Sequence, residues 1–240
     1  MEKLSNDWNK ILKSVEDNYK RINENIFNAA VKSGRNMDDI TLLAATKTVP
    51  AEIINYAISL GVNNIGENRV QELLSKYDEI NLDNCSLHMI GHLQTNKVKK
   101  IVGKVNVIQS VSSLKLANEI NDVSNKMGIV SDILIEVNIG REKNKFGVLP
   151  EYLEELLVKV SQMISINVKG LMIIPPICEN SGDSRRYFSE INKIFVDIKG
   201  KKIDNISMDI LSMGMSNDYV EAILCGSTMV RIGSALFGKR

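Results

Sequence analysis

The chain has 240 residues, 44% of them hydrophobic and 25% charged, and its 30 basic and 29 acidic side chains leave a net charge of +1. That length and composition suit one large α/β domain or two small ones, and the balanced charge offers no field to draw in a polyanion, which excludes nucleic-acid binding as a reading of composition. The polar amino terminus carries no apolar signal core and no run is long enough to span a bilayer. Cys85, Cys178 and Cys225 suggest neither a disulfide framework nor a Cys-x-x-Cys metal pair, so the expectation is no membrane and a reducing cytoplasm.

A leading helix is expected over residues 1–34. Leu4, Trp8, Ile11, Val15, Tyr19, Ile22, Ile26 and Ala29 recur every three or four positions, and Ser33-Gly34 stops it. Its apolar stripe needs a partner, expected to be the body of the protein. From residue 41 a second rhythm begins. Strands are predicted at 41–46, 63–66, 87–90, 105–109, 131–137, 168–174, 207–211 and 228–232. Amphipathic segments lie between them at 51–60, 68–79, 94–101, 113–126, 150–163, 184–199 and 217–224. The strands are continuous apolar runs rather than alternating ones, as in Ile133-Leu134-Ile135, which fits strands covered on both faces. Eight such units predict a (β/α)₈ TIM barrel with an extra amino-terminal helix, all in a single domain spanning 1–240, with the barrel over 41–240. An open doubly wound sheet is the alternative, weakened by the lack of Gly-x-Gly-x-x-Gly after the first strand.

In such a barrel the chemistry sits at the carboxyl ends of the strands. The first strand ends in Thr46-Lys47. A lysine there is either a surface residue opening a loop or a partly desolvated amine able to attack an aldehyde. The seventh strand runs into Ser212-Met213-Gly214-Met215-Ser216, and the eighth into Arg231-Ile232-Gly233-Ser234. Small residues at helix starts are either plain turns and caps or a phosphate cup. Arg231 lies in an apolar stretch and needs a partner, either a barrel carboxylate such as Glu136 or a ligand acceptor. His88 and His92 straddle a strand end without a third ligand, so no metal site is expected. The methionine-rich segment 208–215 is expected to be core and pocket wall.

Taken in order, several segments resemble the pyridoxal 5′-phosphate (PLP) homeostasis proteins over essentially the whole chain. They are Ala45-Thr46-Lys47-Thr48, Gly66-Glu67-Asn68-Arg69-Val70-Gln71-Glu72, His88-Met89-Ile90-Gly91-His92 with Leu93-Gln94-Thr95-Asn96-Lys97, Val137-Asn138, Gly170-Leu171-Met172, Leu211 to Ser216, and Met229 to Gly238. The resemblance implies a barrel like the amino-terminal domain of alanine racemase. It implies that Lys47 holds PLP as a Schiff base, that Ser212, Met213, Gly214 and Ser216 build one side of the phosphate cup, and that Gly233 and Ser234 build the other. Arg231 would face the pyridine nitrogen and Asn68 would line the pocket near the ring. Phe146 stands where a small residue is common, and Ile173 where threonine is often found.

PLP catalysis relies on the ring as an electron sink, and a permanent cation beside the ring nitrogen weakens it. The second β domain that gives alanine racemases a catalytic tyrosine is not expected after the eighth strand. The expectation is therefore a non-catalytic, monomeric PLP carrier that hands its cargo to apo-enzymes, with Lys145 as a candidate second amine. The alternatives are a one-barrel amino-acid racemase, told apart by assaying D-isomers, and a class I aldolase acting on a sugar phosphate without PLP.

Overall fold

Eight parallel strands close on themselves in the order in which the chain lays them down. They are β1 (Thr41–Ala45), β2 (Asn64–Glu67), β3 (Ser86–Met89), β4 (Val107–Val111), β5 (Ser131–Val137), β6 (Ile166–Ile173), β7 (Ile206–Ser212) and β8 (Met229–Ile232). The barrel shuts between β8 and β1, where Leu42 pairs with Val230 and Ala44 with Ile232. The computed structural model describes residues 2–176 and 184–238; Cys178 lies outside the described residues. Helices α1 (Glu2–Lys32), α2 (Ala51–Ser59), α3 (Val70–Lys76), α4 (Leu114–Met127), α5 (Pro150–Ser161), α6 (Arg185–Lys201), α7 (Tyr219–Leu224) and α8 (Ser234–Phe237) surround it.

The apolar runs of the strands serve two cores. Outward residues join the helices in one large cluster, to which α6 contributes Phe188, Ile191, Phe195 and Ile198 at three- and four-residue spacing. Each such side chain contributes about 1.5–3 kcal/mol by leaving water. Inward residues form two small clusters, Leu43, Ala45, Ile90 and Met229 on one side, and Val107, Leu134 and Met172 on the other, both touching Ile210. Strands filled on both faces have no polar side to alternate with. Gly170 permits one close approach: an added Cβ would lie 1.8 Å from the Ile210 carbonyl oxygen, where the β6–β7 register shifts.

Three expectations change. The segment 94–101 is a 3-10 turn over Thr95–Lys100 rather than an α-helix, because only Val98 and Ile101 face inward, three residues apart on one eclipsed ridge. The fourth strand starts two residues late. Asn106 exchanges hydrogen bonds with Leu87 of β3, its amide donating at 2.8 Å and its side-chain oxygen accepting at 2.8 Å, and the ladder follows. The stripe of α1 is covered only in part. Val15, Ile22, Ile26 and Ala29 are buried, and Asn18 and Asn25 bond to Leu236 and Tyr219, whereas Trp8 and Ile11 stay exposed.

Candidate ligand-binding site at the barrel mouth

β1 ends at Ala45, and the chain leaves the sheet in a tight turn closed by Val49 N–H donating to Thr46 O at 3.0 Å. Lys47 and Thr48 are its central residues, and Thr48 takes φ 59°. Of the two positions open to this lysine, the structure takes the exposed one. Thr46 is fully buried, but Lys47 is exposed, because the turn lifts it off the strand end towards solvent. Its side chain stands exposed at the carboxyl rim.

The turn after β8 is its neighbour. A Cβ on Gly233 would lie 3.3 Å from the Ala45 carbonyl oxygen, which places the two turns side by side. The N–H groups of Gly233 and Ala235 both donate to Ser216 Oγ, at 3.3 and 3.1 Å. Both donors are thereby taken by the Ser216 hydroxyl, and an anion oxygen would use this concavity in the place of Ser216 Oγ. The exposed Ser234 hydroxyl stands beside it and makes no hydrogen bond among the described residues. Gly214, at φ 92°, lets the preceding turn sit on α7, where a Cβ would press on Ala222 at 2.5 Å, and its carbonyl accepts from Arg231 N–H. Two expected members of the cup are placed elsewhere. Ser212 is wholly buried inside the barrel. Met213 packs into the outer core, and its N–H is committed to Met229 O. The strand parity that points Ser212 inward necessarily points Met213 outward.

Arg231 is buried, and among the described residues no carboxylate is in contact with it. Its guanidinium donates to Ser212 Oγ at 2.7 Å and to the Ile173 carbonyl at 2.8 Å. Burial brings it down to about 10, so it stays cationic at neutral pH. The carboxyl of Glu136, the expected alternative partner, makes no hydrogen bond or ion pair among the described residues, and its Oε2 is buried and unpartnered. Burial pushes its carboxyl up to about 7 against the pull of Arg231. Asn68, half-buried, follows β2 at the same rim.

Below Arg231 a polar line crosses the barrel. Ser212 accepts from Arg231 and donates to Gln109 Oε1 at 2.7 Å, which leaves Gln109 Nε2 to donate to His88 Nδ1 at 2.9 Å. His88 Nδ1 is thereby an acceptor, and the proton sits on Nε2, beside Ser86 Oγ and Asn64 Oδ1. Burial lowers His88 to about 4, so it is neutral. The expectation that His88 sits at the rim is corrected. It points inward and borders a cavity of about 300 Å³ at the opposite, amino-terminal end, lined also by Asn64, Ser86 and Thr228. Among the described residues no cluster of histidine, cysteine and carboxylate side chains is placed to hold a metal.

The loop after β5 closes another side of the mouth. Lys145 is tied down by Pro175 O at 3.0 Å and Glu142 at 2.6 Å. Phe146 stacks on His92 with ring centroids 3.5 Å apart. Sequence reasoning missed Lys76, whose ammonium reaches under the Lys47 turn. Its one signal was the spacing of four from Glu72. Gln109 was missed as well, hidden inside an apolar run.

A family model described as the alanine racemase N-terminal domain matches residues 14–240. A pyridoxal phosphate homeostasis protein of Aquifex aeolicus is 44% identical over 92% of this chain and 96% of its own length. The Escherichia coli K12 protein of that name is 34% identical over 95% of this chain and 98% of its own. The chain belongs to the pyridoxal phosphate homeostasis protein family. Another solved relative of this family member is PipY of Synechococcus elongatus with PLP bound, with TM-score 0.76 and 30% identity, covering 83% of this chain and 93% of PipY. An alanine racemase of Clostridium difficile shares the barrel fold of the family, with TM-score 0.69 at 16% identity, covering 92% of this chain and 55% of the racemase. Among the described residues, no helix is long and apolar enough to cross a membrane.

Proposed function

We propose that the chain binds PLP at the carboxyl mouth of the barrel and holds it for intracellular PLP homeostasis without catalytic turnover. The observation that carries this is the pair of backbone donors, Gly233 and Ala235, converging beside the turn that bears Lys47. PLP supplies an aldehyde that condenses with a primary amine, and a phosphate dianion that needs fixed donors. Lys47 is the amine within reach of solvent and cargo. Ser216, Gly233 and Ser234 form the anion side, Gly214 shapes the turn behind it, and Asn68 borders the ring. Ser212 serves from within by holding Arg231 in place, and Met213 seats the turn in the outer core. Arg231 presents a cation to which no carboxylate among the described residues is bound, and it opposes protonation of a pyridine nitrogen placed beside it. The chain acts as a monomeric, cytoplasmic carrier, with residues 1–240 as one domain and apo-enzymes as recipients. The bound molecule of PipY and the names of the curated relatives support this reading.

The test is an absorbance spectrum of the purified chain with added PLP, followed by borohydride trapping and mass mapping. The expected result is one modified lysine, Lys47. A colourless protein that traps nothing overturns the reading, and so does steady production of D-isomers from L-amino acids. Ser234→Ala is expected to weaken PLP retention by about 1–3 kcal/mol, the worth of one charge-assisted hydrogen bond. Unchanged retention on dialysis would remove Ser234 from the cup.

A further inference from the structure

The Lys47 turn is gripped from below by one part-buried ammonium and its carboxylates. Lys76 Nζ lies 3.1 Å from Thr46 O, 3.1 Å from Val49 O, 2.8 Å from Glu67 Oε1 and 2.9 Å from Glu72 Oε1. Its side chain is only 11% exposed. An ammonium has three N–H groups, so these oxygens share them, and no other donor is needed. Thr46 and Val49 are the first and last residues of the turn. The Thr46 hydroxyl donates to Glu67 Oε1 at 2.7 Å, and the Thr48 N–H donates to Glu72 Oε1. Thr46, Thr48 and Val49 are thus all held by the cluster, and Lys47 alone projects from it.

Such a clamp answers a physical need. Thr48 is β-branched and sits at φ 59°, a conformation that costs about 1–3 kcal/mol unless its surroundings enforce it. An exposed lysine on an unanchored turn would also sample many directions. The clamp is rooted out of water at one member: Glu67 is fully buried, and burial raises its carboxyl despite the hydrogen bonds from Lys76 and Thr46. Its charge is kept there by Lys76, since an unpaired buried carboxylate is far costlier.

We propose that Lys76, with Glu67 and Glu72, is a positioning residue for Lys47, fixing the turn so that the amine faces the cradle of Gly233 and Ala235. This rests on the reading that Lys47 bonds to PLP. PLP dissociation constants decide it, measured for the whole chain and for Lys76→Met, each with Lys47 present and with Lys47→Ala. A residue that acts only by orienting the amine has nothing to orient once the amine is gone. The expected result is a loss of at least tenfold from Lys76→Met when Lys47 is present, and less than twofold in the Lys47→Ala background. Equal losses in both backgrounds would make Lys76 a structural prop of the whole pocket and overturn the proposal, as would no loss in either. Should Lys76→Met fail to fold, Glu72→Gln carries the same comparison, with a loss of about threefold confined to the Lys47 background. In the chain without PLP, hydrogen exchange at the Thr48 amide is expected to quicken at least tenfold in Glu72→Ala, which removes its acceptor, at unchanged global stability; unchanged exchange argues against the clamp. Failure of the underlying reading looks different, because Lys47→Ala would then leave borohydride trapping intact.

Discussion

Lys47→Ala is expected to strip the PLP-loaded protein of its visible absorbance and to leave no lysine trapped by borohydride. The exposed position of Lys47 makes this a clean experiment. Its side chain fills no core and spans no buried ion pair, so the substitution is expected to move the unfolding free energy by no more than about 0.5 kcal/mol. The turn itself stays in place, because Thr46, Thr48 and Val49 are held by Lys76, Glu67 and Glu72 rather than by Lys47. What disappears is therefore the covalent link alone. The anion side remains: the Ser234 hydroxyl, with the Gly233 and Ala235 N–H groups once an anion takes them over from Ser216 Oγ, leaves a residual affinity on the order of millimolar. PLP is expected to co-elute weakly with the variant and to wash out on dialysis. Retention of the full absorbance would place the reactive amine elsewhere, and mass mapping of the trapped lysine would identify it.

Much of this arrangement is legible in the sequence for identifiable reasons. The barrel follows from eight apolar runs without alternation, since only strands covered on both faces are written that way. The rim is found because strand ends are marked by abrupt changes such as Ala45-Thr46-Lys47 and Ile232-Gly233-Ser234. Two things escape. Side-chain direction inside the barrel depends on parity and on bulges, and β4 carries a register shift between Ile108 and Val111 that no local pattern announces. So the inward line of His88, Gln109, Ser212 and Arg231 is invisible from spacing, and so are the bonds from Ser212, read as a cup residue, to Gln109 and Arg231. Exposure escapes as well. Whether Lys47 is buried depends on how the turn leaves the sheet, and that is set by contacts from α3, thirty positions away in sequence at Lys76.

Glu136→Gln is expected to stabilise the chain in a pH-dependent way, and the sign follows from the environment. Glu136 shares the inner face of β5 with Leu134 and is 7% exposed, and its Oε2 finds no donor. Desolvation therefore outweighs the attraction of Arg231, and the carboxyl titrates at about 7 instead of 4.5. A raised native pKa means that the folded chain holds this proton more tightly than the unfolded chain does. Its contribution to stability is full below pH 4.5 and is lost as the pH climbs through 7. By pH 8 the wild-type chain carries a buried carboxylate with no hydrogen bond at Oε2, at a cost of about 3 kcal/mol relative to the protonated form. Glutamine is neutral throughout and escapes that cost. The measurement is urea unfolding of both proteins, free of PLP, at pH 4.5 and pH 8. The stability difference, variant minus wild type, is expected to grow by about 3 kcal/mol between the two conditions, whatever constant offset the amide introduces. A difference that stays flat would mean that Glu136 is ionised across the range, and that the cation of Arg231 governs this side of the mouth more strongly than burial does.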